Sequence, residues 1–266
     1  MIKSVFTTAC ICLTLTSAIA QKKYEKIMYK DVSVEGDGMT ILAKDAVSNK
    51  AGTKFKLKII NKTDDAILYK PEESTLKINS KEVKPKEKWM QVAPVESESK
   101  VINFEATDYI VPGYSYEVNG LYKVSVLDKP VAAEDFQLPP AQNEFKAGNF
   151  TCAMSDLKKE TDKTNVKFEC RYTGDKIGVI NSKKATIKLP DGTEIANSKG
   201  NRPAVLLMKG GSERISLSWN RMDGGKETDM QKIKLMIVWH STFVEADPVK
   251  VKPVTLDFAI DEATSK

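Results

Sequence analysis

Short runs in which apolar and polar side chains alternate one by one dominate this sequence. In residues 54–59, Phe55, Leu57 and Ile59 alternate with lysines. Successive side chains of a β-strand point to opposite faces, so this pattern predicts a strand with one face in a core and the other in water. The same alternation recurs at 75–78, 101–104, 114–126, 185–189, 214–219, 233–239 and 249–260. Because turn-forming sequences separate the runs, the chain is predicted to be all-β.

The alternation also repeats at long range. When the sequence is shifted by 111 residues against itself, inward positions fall on inward positions: Phe55, Leu57 and Ile59 meet Val166, Phe168 and Cys170. This parity is kept over about 40 residues without a gap. Short strands at regular spacing are typical of β-sandwiches. The repeat therefore predicts two copies of one sandwich domain.

The predicted segments follow from the repeat and from composition. The first domain is placed at residues 21–130 and the second at 146–260. Residues 131–145 are rich in proline and polar residues, which predicts a semi-rigid linker. Residues 261–266 are predicted to be a frayed tail.

The first twenty residues have the pattern of a signal peptide. Lys3 precedes a mostly apolar stretch at 5–15, and small residues at Ala18 and Ala20 mark a cleavage site before Gln21. We expect this segment to be removed and the protein to be secreted or periplasmic. The apolar stretch is too short and too rich in hydroxyls to span a bilayer, and no later stretch is longer, so no integral membrane segment is expected after cleavage.

Cleavage would leave two of the four cysteines, Cys152 and Cys170. A remaining pair in an oxidising compartment predicts a disulfide. Each lies in an alternating stretch, with a polar loop between them, which indicates two antiparallel strands. In the repeat, Ile41 and Ile59 occupy the same two positions, so we expect a structural bridge. The C-x-x-C spacing of redox and metal sites is missing.

The sequence gives no positive indication of catalysis. Its single histidine, His240, excludes a His–His zinc site and leaves little scope for a histidine-based triad. The acidic stretches at 36–38 and 63–65 are predicted to be turns rather than calcium sites. We therefore expect no enzyme activity, no catalytic residue, no metal and no cofactor. A pair of glycosidase carboxylates stays open, because such pairs are placed by the fold.

The charged residues also limit the partners. The chain has 41 lysines and arginines against 36 acidic residues, and the signs alternate along the sequence. This pattern predicts a solvated surface of mixed charge rather than a basic patch for nucleic acid or an anionic membrane. No nucleic-acid partner is therefore expected.

The best candidate for recognition is a group of tyrosines at 108–122, around a Pro-Gly turn. Loop tyrosines combine apolar area with a hydroxyl, which suits protein interfaces and stacking on sugars. Tyr109 and Tyr114 are expected to be exposed, with Tyr116 as a further binding residue. Trp89, in polar surroundings, is added to this set. The alternative is that Tyr116 faces the core.

Two segments resemble a known class of domain. In the first, residues 52–64 run from an alternating strand into an Asn-Lys-Thr-Asp turn, and residues 75–83 form a second strand with a polar turn. They resemble the secreted immunoglobulin-like domains of bacterial envelope proteins and lipoproteins of unknown function. The second copy, at 168–175 and 186–195, is similar but has Tyr-Thr-Gly in the turn. The resemblance implies an immunoglobulin-like sandwich and an extracytoplasmic binding or scaffold role.

Together these observations predict an exported, non-enzymatic binding or scaffold protein. Its partner is expected to be an unknown protein or a component of the cell envelope. Two alternatives stay open. One is a carbohydrate-binding module that holds a glycan with the loop tyrosines, and the other is a small hydrolase.

Overall fold

The computed structural model describes residues 24–200, 203–221 and 229–266. The predicted signal peptide at 1–20 lies outside these residues. The described chain is all-β, as predicted, and its helical segments are two 3-10 turns, Pro71–Glu73 and Ser182–Lys184. In those ranges no helix has the length and hydropathy needed to cross a bilayer.

The first half of the chain contributes eleven strands: β1 (Lys26–Met28), β2 (Val32–Gly36), β3 (Met39–Asn49), β4 (Gly52–Asn61), β5 (Ala66–Tyr69), β6 (Thr75–Ile78), β7 (Lys81–Val83), β8 (Met90–Val92), β9 (Ser97–Glu105), β10 (Gly113–Val118) and β11 (Leu121–Val124). The rest of the chain contributes β12 (Phe136–Leu138), β13 (Glu144–Ala147), β14 (Phe150–Lys159), β15 (Lys163–Tyr172), β16 (Ile177–Ile180), β17 (Thr186–Lys188), β18 (Glu194–Ala196), β19 (Val205–Leu207), β20 (Ser212–Asn220), β21 (Leu235–Val238), β22 (Phe243–Ala246), β23 (Val249–Lys250) and β24 (Val254–Ala259).

The predicted shift of 111 residues is present in the strands themselves. It relates β3, β4 and β5 to β14, β15 and β16, and it also relates the two 3-10 turns. The shift reaches 115 residues at β9 and β20, because the intervening loops differ in length. The two halves therefore carry the same succession of elements.

Each half has one long antiparallel sheet that faces two smaller sheets. In the first half, the order β1-β3-β4-β9, with β2 also paired to β3, faces β24-β10-β6-β7 and β23-β11-β5-β8. In the second half, β13-β14-β15-β20 faces β12-β21-β17-β18 and β19-β16-β22. A separate cluster of buried apolar residues fills each half. This arrangement is compatible with a β-sandwich fold, in which inward residues of opposing sheets form the core.

The two halves are joined by a third apolar cluster. All four residues of β5 and all four of β16 are buried, so these strands are covered on both faces. Leu68 of β5 lies in one cluster with Val179 and Val244 of the second half. The side chain of Gln91 accepts a hydrogen bond from the Leu206 amide at 2.8 Å and donates one to the Ala204 carbonyl at 3.2 Å. The halves are therefore docked to each other.

The segment predicted as a linker forms part of the second half. Within residues 131–145, β12 pairs with β21, and Ala133 forms a bridge to Ala147. Pro130 forms a further bridge to Val244. A strand of three residues is too short to show alternation, which is why proline content dominated the prediction.

The last strand belongs to the first half and not to the second, where the boundary at residue 260 had placed it. Strand β24 pairs with β10 over six residues, and its Leu256 and Phe258 are buried in the first core. The predicted frayed tail is also held, because the Lys266 carbonyl accepts hydrogen bonds from the amides of Glu25 and Lys26. Alternation shows which face of a strand is buried but not which sheet the strand joins.

The predicted disulfide is confirmed. Cys152 of β14 and Cys170 of β15 are bonded, fully buried and directly opposite each other. In the first half, Ile41 of β3 and Ile59 of β4 occupy the equivalent opposed positions, as the repeat predicted. The same cross-strand site is thus filled by apolar contact in one copy and by a covalent bond in the other.

Candidate functional site

Of the four predicted binding residues, Tyr116 lies in the core of the first half. Its hydroxyl shares a hydrogen bond of 2.6 Å with that of Tyr69, and its ring meets Phe55 edge-on. Burial raises the pKa of both phenols, that of Tyr69 to about 12. The alternative reading of Tyr116 as a core residue is therefore the one observed.

Tyr114 is also buried, so its expected exposure was wrong. Only 6% of it is accessible, and its ring stacks on Phe258 with centroids 4.5 Å apart. Its other contact is an edge-on approach to Tyr29 at 4.7 Å. Tyr114, Tyr116 and Val118 stand two residues apart along β10 and are all buried. The period of two was the signal that could have placed both tyrosines on the inward face.

Tyr109 remains partly accessible in the loop between β9 and β10. The neighbouring Ile110 is 50% exposed. Asp108 fixes this loop to the turn between β6 and β7, because its carboxylate lies 3.1 Å from Lys81 Nζ. The ammonium of Lys81 holds the pKa of Asp108 below its ordinary value.

Trp89 is the predicted residue that is most exposed, at 39%. The segment before it follows the outer edge of β9: Glu87 accepts a hydrogen bond from the Asn103 amide at 2.8 Å, and Lys86 lies 3.8 Å from Glu105. These contacts run antiparallel to β9, so the chain direction carries Trp89 toward Val101, which is 55% exposed. We call Trp89 and Val101 the edge patch.

The single histidine takes part in a polar group without the geometry of a triad. His240 Nε2 lies 2.8 Å from Glu194 Oε2 and 3.2 Å from Thr186 Oγ1. A serine-type triad needs the nucleophile on one ring nitrogen and the carboxylate on the other, whereas here both contact Nε2. Hydrogen bonds from Thr186 and then His240 keep the pKa of Glu194 below its ordinary value. This group is an ion pair across neighbouring strands.

A second polar group, not found from the sequence, holds the C-terminal segment. The Tyr122 hydroxyl donates to Glu73 at 2.7 Å, and Lys250 Nζ lies 3.2 Å from the same carboxylate. Burial, followed by the hydrogen bond to Glu73, raises the pKa of Tyr122 to about 12. The group fastens β23 to β11, which explains its contacts without a ligand.

Metal-binding capacity can be judged for the described ranges. Within them, no cluster of three or more histidine, cysteine, aspartate or glutamate side chains is arranged to hold an ion. The turn at 36–38 is a two-residue hairpin, since Asp37 and Gly38 both have positive φ and join β2 to β3. This conformation explains the acidic residue there through turn geometry.

The chain was compared with known proteins. No protein-family model and no curated protein matches it.

Proposed function

We propose that this protein is an exported, non-enzymatic binding or scaffold protein made of two tandem immunoglobulin-like sandwiches. Its partner would be a protein or another component of the cell envelope. The repeated succession of strands supports the two-domain interpretation. The buried disulfide supports an oxidising compartment, where such bonds persist.

The edge patch is the observation that carries this proposal. Exposed aromatic and aliphatic side chains beside each other are typical of the centres of protein interfaces. Trp89 lies next to the edge of a long sheet, and sheet edges are recurrent docking sites. Glu87 satisfies one amide of that edge at Asn103, so a partner would contact the patch and the neighbouring part of β9.

The carbohydrate-binding alternative loses two of its residues. Tyr114 and Tyr116 are buried and cannot stack on a sugar ring without unfolding the core. Tyr109 alone, with Ile110 beside it, provides a small accessible aromatic surface. Contact with a protein or envelope component through the edge patch is therefore the better supported function.

Replacing Trp89 and Val101 together by serine tests the proposal. We expect the double variant to lose at least about tenfold in affinity for partners captured from bacterial envelope fractions, since truncating an interface anchor costs 1–2 kcal/mol or more. Captured material is identified by mass spectrometry, and binding is then measured with the purified partner. Tyr109→Ala, screened on a glycan array, tests the carbohydrate alternative.

Leu127→Ala is the matched control, because Leu127 is 53% exposed in the loop after β11 and lies outside the patch. It should bind as the parent protein does. Unchanged affinity of the Trp89→Ser, Val101→Ser variant would contradict the proposed site.

A further inference from the structure

The outer face of the long sheet in the first half carries a group of lysines. Strand β4 points Lys54, Lys56 and Lys58 away from the core, and Lys44 of β3 stands directly opposite Lys56. Outward residues recur about every 6.8 Å along a strand, so the three lysines of β4 span roughly 14 Å. We call these four residues the lysine face.

Nothing in the described part of the chain neutralises this face. No carboxylate of residues 24–200, 203–221 or 229–266 lies within ion-pair distance of any of the four ammonium groups. Like charges that are directly opposed on neighbouring strands destabilise a sheet. The opposition of Lys44 and Lys56 is therefore a cost that the fold itself does not need.

The second copy shows the same face without this charge. At the shift of 111 residues, the four positions hold Ser155, Asn165, Lys167 and Glu169. Lys167 faces Asp156 instead of a lysine, and their charged atoms are 2.9 Å apart. Glu169 lies 4.0 Å from Arg214. Equivalent strands can thus be built with balanced charges, so the positive charge is a property of the first copy alone.

Apolar groups lie among these lysines. Val101 of β9 stands opposite Lys56, and the half-buried Leu42 of β3 stands opposite Lys58. Trp89 approaches from the β9 edge. A row of point charges beside apolar and aromatic surface fits a chain of sugar rings, which offers anionic groups at intervals and C–H faces between them.

We propose that the lysine face binds a linear acidic polysaccharide lying along β4. The face contains lysine and no arginine, and lysine is a mobile point charge that does not demand the fixed fork geometry of phosphate recognition. The lysines of β4 form a line, which matches a polymer strand. The inference rests on the proposed export, because such polymers are met in the cell envelope. It departs from the mixed-charge surface predicted by composition, since charge here is sorted between the copies.

The test compares two triple variants of the full protein with equal loss of charge. One is Lys54→Gln, Lys56→Gln, Lys58→Gln, and the control is Lys183→Gln, Lys184→Gln, Lys188→Gln, which changes three exposed lysines of the second half. Binding to immobilised polygalacturonate and to neutral dextran is measured by biolayer interferometry at about 50 mM and about 200 mM salt. We expect the parent protein and the control to bind the acidic polymer in a salt-dependent way, and the first variant to bind about tenfold more weakly or worse.

Three results would overturn the proposal. They are absence of binding by the parent protein, equal weakening in both variants, and tighter binding of anionic lipid vesicles or duplex DNA than of the polymer. Melting temperatures close to that of the parent show that both variants are folded. If Trp89-dependent partner binding stands while polymer binding fails, only this inference fails and the proposed function remains.

Discussion

Replacing Phe258 by alanine is expected to lower the free energy of unfolding by about 3–5 kcal/mol. The side chain is buried in the core of the first half, although it lies only eight residues from the C-terminus. Its ring stacks on Tyr114 and lies 5.1 Å from the ring of Phe55, centroid to centroid. Because strands of two sheets hold these rings in place, the cavity left by alanine cannot collapse fully.

The same prediction has a spatial component that separates it from ordinary C-terminal fraying. Strand β24 pairs with β10 and is reached only after the chain has completed the second half. Hydrogen exchange in the Phe258→Ala variant should therefore rise in peptides from β10, β3 and β4, more than 100 residues earlier in the chain. Calorimetry gives the accompanying loss of stability.

Asp257→Ala is the control on the same strand, since Asp257 is exposed and points away from the core. Its effect should stay within about 0.5 kcal/mol, as for most surface substitutions. An exchange increase confined to peptides of the second half, in the Phe258→Ala variant, would show that β24 does not complete the first core.

The part of this fold that sequence could predict is the part governed by alternation. In β4, one face of three apolar residues against one of lysines determines the inward side, and the constant shift carries that assignment to β15. Strands β5 and β16 escaped prediction because both their faces are covered, by a core on one side and by the other half on the opposite side. Without an exposed face there is no period of two to detect.

The candidate site was predictable to a smaller degree. Trp89 could be found because its neighbours are charged, whereas Tyr114 was misplaced because composition was weighed above its parity with Tyr116. The lysine face was visible as an alternating pattern, but its meaning depended on the strand opposite. Only the register shows that Lys56 faces Lys44 while Lys167 faces Asp156.

Removal of the disulfide is expected to cost about 3 kcal/mol, in the second half. The bridge joins residues that are 18 positions apart, and closing a loop of this size restricts the unfolded chain. Cys152→Ala with Cys170→Ala should therefore lower the melting temperature, and reduction of the parent protein should have the same direction. Hydrogen exchange should rise first in β14 and β15.

The first copy supplies the comparison that tests the structural role of the bridge. Because Ile41 and Ile59 fill the equivalent cross-strand site, Cys152→Ile with Cys170→Ile should recover part of the stability lost in the alanine pair, through apolar burial of about 25 cal/mol per Å². The remainder measures the covalent constraint, which isoleucine cannot replace. A rise of exchange in β3 and β4 before β14 and β15 on reduction would contradict a role confined to the second copy. It would place the load of the bridge on the shared cluster around Leu68 and Val179, through which the halves are docked.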